Sequence, residues 1–282
     1  METQKPNVAA PMKPAAKPAA KKDSQKANVP GIKNAFWVIF ICLVIAVLLF
    51  VFWFGNDIHF DEDQNPKDLW GVIFKGGFVV PIIQTLLLSV IVLSVERFIA
   101  INAAKGKGSI DKFVANVKKC LAKKDIAAAK ELCKKQQGSV AAVVNAALVS
   151  YEDMDKNTEL TKEQKVLTIQ KALEEATALE MPSLTQNLPI VATMTTLGTL
   201  MGLLGTVLGM IKSFQALAQS GAPDSTELST GISEALINTA FGIATSACAV
   251  ISYNFFTNKI DNLTYAIDEI GFSIVQTFQT TH

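Results

Sequence analysis

Arginine is nearly absent from this 282-residue chain: Arg97 is the only one, and every other basic side chain is a lysine. Histidine is almost as scarce, with only His59 and His282. The four cysteines, Cys42, Cys120, Cys133 and Cys248, are dispersed and form no Cys-x-x-Cys pair. That pattern supplies neither a zinc-ligand set nor a disulfide framework, and the cysteines read as packing residues. Net formal charge is only +1, so bulk charge singles out no partner. No nucleophile, base and orienting group can be assembled. The chain therefore reads as a non-enzyme, with no metal or cofactor called for. Gly202-Leu-Leu-Gly-Thr-Val-Leu-Gly209 has the look of a phosphate loop, but it lacks the lysine and lies inside an apolar run. Gly106-Lys-Gly-Ser109 lacks the upstream glycine of Walker spacing.

Apolar sequence is what the chain has in quantity. Half of its residues are hydrophobic. Runs with little or no charge occupy 35–54, 77–95, 188–211 and 235–257. Each is close to the ~20 residues a bilayer-spanning helix requires. The expected fold is an all-α polytopic membrane protein with a helical block between its spans.

In chain order, residues 1–34 form a Lys/Pro/Ala tail too poor in apolar side chains to build a core. With a span directly after it, the tail reads as a topology signal and not as a nucleic-acid arm. Residues 35–54 are that span, with Trp37 and Trp53 near its ends as interfacial anchors. The run is too long for a cleaved signal, and no small-x-small site follows Phe54. The loop at 55–76 is acidic (Asp57, Asp61, Glu62, Asp63, Asp68), which places it outside and the tail inside. Trp70, Val72, Ile73 and Phe74 are expected to lie along the outer interface as a short amphipathic piece. Residues 77–100 return as the second span and end in Ser94-Val-Glu-Arg-Phe98. There Glu96 and Arg97 are expected to pair locally or to hold lipid phosphates at the inner headgroups.

Residues 101–187 form a cytoplasmic helical block. Ile110, Phe113, Val114, Val117 and Leu121 follow helical spacing, as do Val166, Ile169, Leu173 and Ala176. No aromatics interleave the lysines between 118 and 135, so these read as solvent- and lipid-facing, with no nucleic-acid partner. Residues 188–211 cross outward and 231–257 cross back. The connection at 212–230 reads as a periplasmic loop, because from Ser213 to Thr230 it carries Asp224 and Glu227 and no basic residue. Residues 258–282 return to the cytoplasm as an amphipathic helix. Four spans with both termini inside satisfy every segment.

Two of the spans carry the chemistry. In the third, Gly198, Gly202, Gly205 and Gly209 recur at spacings of four, three and four, and Gly242 lies in the fourth. In lipid such stripes permit close backbone approach between helices. Thr195, Thr199 and Thr206 lay hydroxyls beside the glycines, although such threonines also bond their own backbone carbonyls. In the fourth span Glu234 is a carboxylate inside apolar sequence, a costly placement that asks for a functional explanation. At 100° per residue, Asn238 falls about +40° from it, Phe241 about −20°, Thr245 about +20° and Ser252 near zero. Glu234 therefore heads a polar stripe leading inward. Pro223 with Asp224 predicts an early helix start, which puts Glu234 roughly 15 Å along the helix. Burial disfavours a charged carboxylate, so such a group can hold and exchange a proton. The alternative is a glutamate near a helix end, held by a neighbour's donor.

Gly202-Leu-Leu-Gly-Thr-Val-Leu-Gly-Met-Ile-Lys-Ser-Phe214, followed by Gly231-Ile-Ser-Glu-Ala-Leu-Ile-Asn-Thr-Ala-Phe-Gly242, resembles the MotA/TolQ/ExbB proton channel family, ExbB above all. Val95-Glu-Arg-Phe98 is similar too, and the likeness covers about 77–260. The resemblance implies a ring-forming homo-oligomer, pentameric in the family, in a bacterial cell inner membrane. A small single-span ExbD-like protein would occupy its pore. The complex would use proton-motive force to drive a TonB-like protein and outer-membrane transport. TolQ-like envelope maintenance, a gliding-type motor and a non-conducting membrane scaffold are the alternatives. The family's functional positions fall on Glu234, Thr206 and Thr239. Thr239 lies about 140° around the helix from Glu234, so the two are expected to face different surfaces, one toward the pore and the other toward a neighbouring subunit. Two departures stand out. Gly198-Thr199 replaces the family's usual Ala-Pro, and the span at 35–54 is added to a three-span core.

Overall fold

A computed structural model describes residues 34–61, 66–219 and 225–281, so the expectation for the tail falls almost wholly outside the described residues. The described chain is all-α, with one isolated antiparallel bridge, Phe60 to Pro66. Its helices are α1 (Ala35–Leu48, continued by a π-helical turn at Leu49–Phe54), α2 (Leu69–Lys75), α3 (Val79–Lys105), α4 (Ile110–Ala122), α5 (Ile126–Gln136), α6 (Gly138–Lys156), α7 (Lys162–Thr185), α8 (Leu188–Gln219) and α9 (Ser225–Thr281). Four helical stretches among the described residues are long and apolar enough to cross a membrane. The chain is a polytopic membrane protein.

Local chemistry sets the breaks between helices. Asp68 caps α2 by accepting from the Gly71 N–H at 3.0 Å, which holds its carboxyl below the ordinary range. Thr161 and Gln164 form a capping box at the start of α7. Gly106 and Gly138 both adopt positive φ where the end of α3 meets the α5–α6 junction. A side chain on Gly138 would strike the Ala104 carbonyl, while Gln136 Nε2 donates to the Lys105 carbonyl at 3.0 Å. The block is thereby fastened to the end of α3.

The largest core joins the end of α3 to α4, α5, α6, α7 and the second half of α9. Buried Val114, Val117, Leu121 and Ile169 take the positions their periodicity predicted. The segment at 258–282 is more than a surface helix. It continues α9, and Ile260, Leu263, Ile267, Ile270, Ile274 and Phe278 run through the middle of this core. At ~1.5 Å per residue, α9 is roughly 85 Å long, far beyond the ~30 Å of a bilayer's hydrocarbon. The added helix α1 lies on α3 and buries Ala35, Cys42 and Ala46, all small residues. Its aromatic end stacks on α2, through Phe50 with Phe74 and Phe54 with Trp70. Ile73 of α2 is buried with Phe54 and Val80, so α2 packs into the protein on one side.

Two sequence expectations are corrected. The segment at 212–230 is not a loop of that length. Helix α8 continues to Gln219 and α9 begins at Ser225, with Ser213 buried and its hydroxyl donating to the Gly209 carbonyl at 3.2 Å. Lys212, taken as the first loop residue, belongs to the helix. Nor does Arg97 face lipid headgroups. It is fully buried, forks onto the Glu96 carboxylate, with Nε at 2.7 Å from Oε2, and donates Nη1 to the Ser183 and Leu184 carbonyls at 3.1 and 3.2 Å. The local-pairing alternative is the one observed, and the pair ties α3 to the end of α7.

Replacing Arg97 with Leu strands a buried carboxylate, which costs about 3–5 kcal/mol. The melting temperature in detergent is expected to fall sharply for R97L and by less for the E96Q/R97L double variant; equal melting of R97L and wild type would show the pair to be dispensable. Burial also pushes the Cys133 thiol up to about 12. The thiolate is the nucleophile, so Cys133 should resist iodoacetamide at pH 8 and react only after unfolding, as read by mass spectrometry.

Candidate functional site

Helices α8 and α9 meet along their small residues. Gly202 lies against the backbone of Asn238, Thr239 and Gly242, and Gly242 in turn faces Gly198 and Gly202. Gly209 faces Gly231 and Ala235, and Gly205 gives its space to the Asn238 side chain. A Cβ on Gly242 would come within 2.6 Å of the Gly198 carbonyl oxygen and 2.7 Å of the Gly202 Cα, both rigid backbone. Five glycines singled out in the sequence thus form one seam inside a single chain.

The seam sorts the polar side chains onto two flanks. Around α8 from Gly198, Thr199 lies at about +100°, Thr206 at about +80° and Lys212 at about −40°. On the first flank the Thr206 and Thr239 hydroxyls touch, and Thr206 also donates to the Gly202 carbonyl at 3.2 Å. Thr199 and Ser246 share a hydrogen bond of 2.8 Å on the same side. On the other flank Lys212 Nζ donates to both oxygens of Glu234, at 2.8 and 3.1 Å.

Glu234 is 6 % exposed. Its Oε1 sits where a side chain on Gly77 would project, and Gly77 has φ +76° in the turn before α3. One helical turn further, Asn238 is fully buried and donates Nδ2 to the Gly76 carbonyl at 2.9 Å. Its Oδ1 has no hydrogen-bond partner among the described residues. Thr245 is buried on the same stripe but donates to the Phe241 carbonyl of its own helix at 2.8 Å.

The structure therefore brings Glu234 and Asn238 to the turn before α3, and Thr206 and Thr239 to each other. Glu234 and Thr239 face different neighbours, and both neighbours belong to the same chain. The contacting residue that sequence reasoning overlooked is Lys212. Its position on the α8 helical wheel could have revealed it had the helix been extended past Ile211.

Residues 137–269, which contain the seam and both flanks, match the profile of the MotA/TolQ/ExbB proton channel family. Over those residues the chain is similar to that family. It is 38% identical over 93 residues to the biopolymer transport protein ExbB of Helicobacter pylori, covering 33% of this chain and 63% of that one. With an ExbB-like biopolymer transport protein of Synechocystis it shares 37% over 87 residues, 30% of this chain and 41% of the other. With the Tol-Pal system protein TolQ of Pseudomonas aeruginosa it shares 36% over 95 residues, 34% and 41% of the two chains. The alignments thus span about two fifths to about three fifths of these relatives. That family is one of proton channels, and this chain is a multi-pass membrane protein similar to it over those residues.

Because a Cβ on Gly242 meets only backbone, G242A must push α8 and α9 apart. At Gly202 the nearest atoms lie at 3.1–3.3 Å and leave a little slack. Overpacking of this kind costs about 1–3 kcal/mol, so G242A should melt lower than G202A in detergent. The reverse order would sink the seam as the close contact.

Proposed function

We propose that this chain is an ExbB-like channel and stator subunit of an inner-membrane motor. In this reading it assembles as a ring around a single-span ExbD-like protein and uses proton-motive force to drive a TonB-like protein. The helical block and both termini lie on the cytoplasmic side, and the turn before α3 on the periplasmic side. The supporting observation is the carboxylate of Glu234, enclosed among spans in the family-matching region, with paired hydroxyls across the seam. Glu234 takes and releases the proton. The Thr206 and Thr239 hydroxyls, each both donor and acceptor, supply polar partners in an otherwise apolar span. Relatives named ExbB and TolQ match about equally well, and a TolQ-like role is the neighbouring alternative.

A second reading has its own observation. Lys212 on Glu234 is what a purely structural tie between α8 and α9 would look like, and it favours a non-conducting scaffold. Proton flux separates the two. In liposomes holding this chain and its single-span partner, E234Q is expected to lower flux by about two orders of magnitude, the scale set by losing a positioned proton-transfer group. Unchanged flux in E234Q removes the carrier role. Flux at the protein-free background for both proteins favours the scaffold.

A further inference from the structure

The Lys212–Glu234 pair has a marked asymmetry. The carboxylate side chain is 8% exposed, whereas the lysine side chain is 51% exposed. Glu234 is closed in by the Gly77 turn, and Lys212 is the only charged group that the described contacts place on it. A proton carrier needs its carboxylate oxygens available to a proton donor, and here one ammonium donates to both of them. While the pair stands, both oxygens of Glu234 are held by Lys212.

We propose that Lys212 is a positioning residue, a latch that keeps the Glu234 carboxylate out of the proton route until its ammonium is drawn away. The accessible half of the pair is the lysine, so opening proceeds from that side without exposing the carboxylate first. Once released, a protonated Glu234 becomes a hydrogen-bond donor that requires an acceptor. Asn238 Oδ1, buried and unpartnered one helical turn further inward, is such an acceptor. The latch gives the chain a closed state of its own, before any partner is present. It rests on the reading of Glu234 as the proton carrier.

The test is proton leak through the full chain reconstituted alone in phosphatidylethanolamine–phosphatidylglycerol liposomes, read with an entrapped pH-sensitive dye under an imposed potential. Wild type is expected to leak little and K212Q severalfold more. K212R, which keeps the cation, should stay at the wild-type level. The K212Q/E234Q double variant should fall back to it, because the leak passes through the carboxylate. A merely structural lysine would give no leak that depends on Glu234. A K212Q protein that is folded and monodisperse yet leaks no more than wild type overturns the latch, and so does a leak that persists in the double variant. If K212Q does not fold, K212M, of similar length and suited to a half-exposed position, takes its place in every arm. Failure of the carrier reading would show separately, as unchanged flux in E234Q with Lys212 intact and the partner present.

Discussion

The close approach of α8 and α9 is the constraint on which the arrangement depends. Between helices in lipid, apolar burial supplies no drive, so contact must come from van der Waals packing and from polar groups that find partners. Here the glycines of α8 let the α9 backbone come near enough for hydroxyls to meet across the join. That nearness also fixes rotation. With Gly202 against Gly242, Thr206 can only fall on one flank and Lys212 on the other. The separation of a hydroxyl flank from an ionic flank is thus a consequence of the seam.

Much of this was legible in the sequence. The glycine spacing marked the contact face, the helical wheel separated Glu234 from Thr239, and hydrophobic runs located the spans. Lys212 was missed for a physical reason. Span ends are commonly drawn where charge begins, on the premise that a charge needs water. A lysine whose partner sits on the next helix does not, and α8 runs on for two more turns past Ile211. At Arg97 the local pairing with Glu96 was legible, but the carbonyl partners were not. Local pattern showed a cation at a helix end, whereas the carbonyls that fill its fork come from residues 86 and 87 positions away. In both cases the partners that were missed are distant in sequence. Periodicity carries no information about them.

Helix α9 connects the two halves of the molecule. One continuous helix carries Glu234 near its start and Phe278 near its end, and no proline interrupts it. Its first half packs on α8 through small residues, and its second half is held in the block by large apolar ones. These are different kinds of contact. Small residues fix the two helices by letting their backbones meet, while interdigitated Ile and Phe side chains hold a register.

The ion pair changes what an intramembrane carboxylate implies. Read alone, Glu234 is expensive in lipid and calls for a role that uses its proton. Paired with Lys212, it is neutral as a unit, and a large part of that cost is offset without any proton moving. Its mere presence is then weak grounds for proton carriage. Stronger grounds come from the mismatch in accessibility and from the idle acceptor at Asn238 Oδ1. A pair meant only to tie helices together is best served by enclosing both ions and satisfying every neighbouring polar atom. This pair leaves its lysine half exposed and Asn238 Oδ1 without a hydrogen-bond partner among the described residues, which is the arrangement the proposed latch requires.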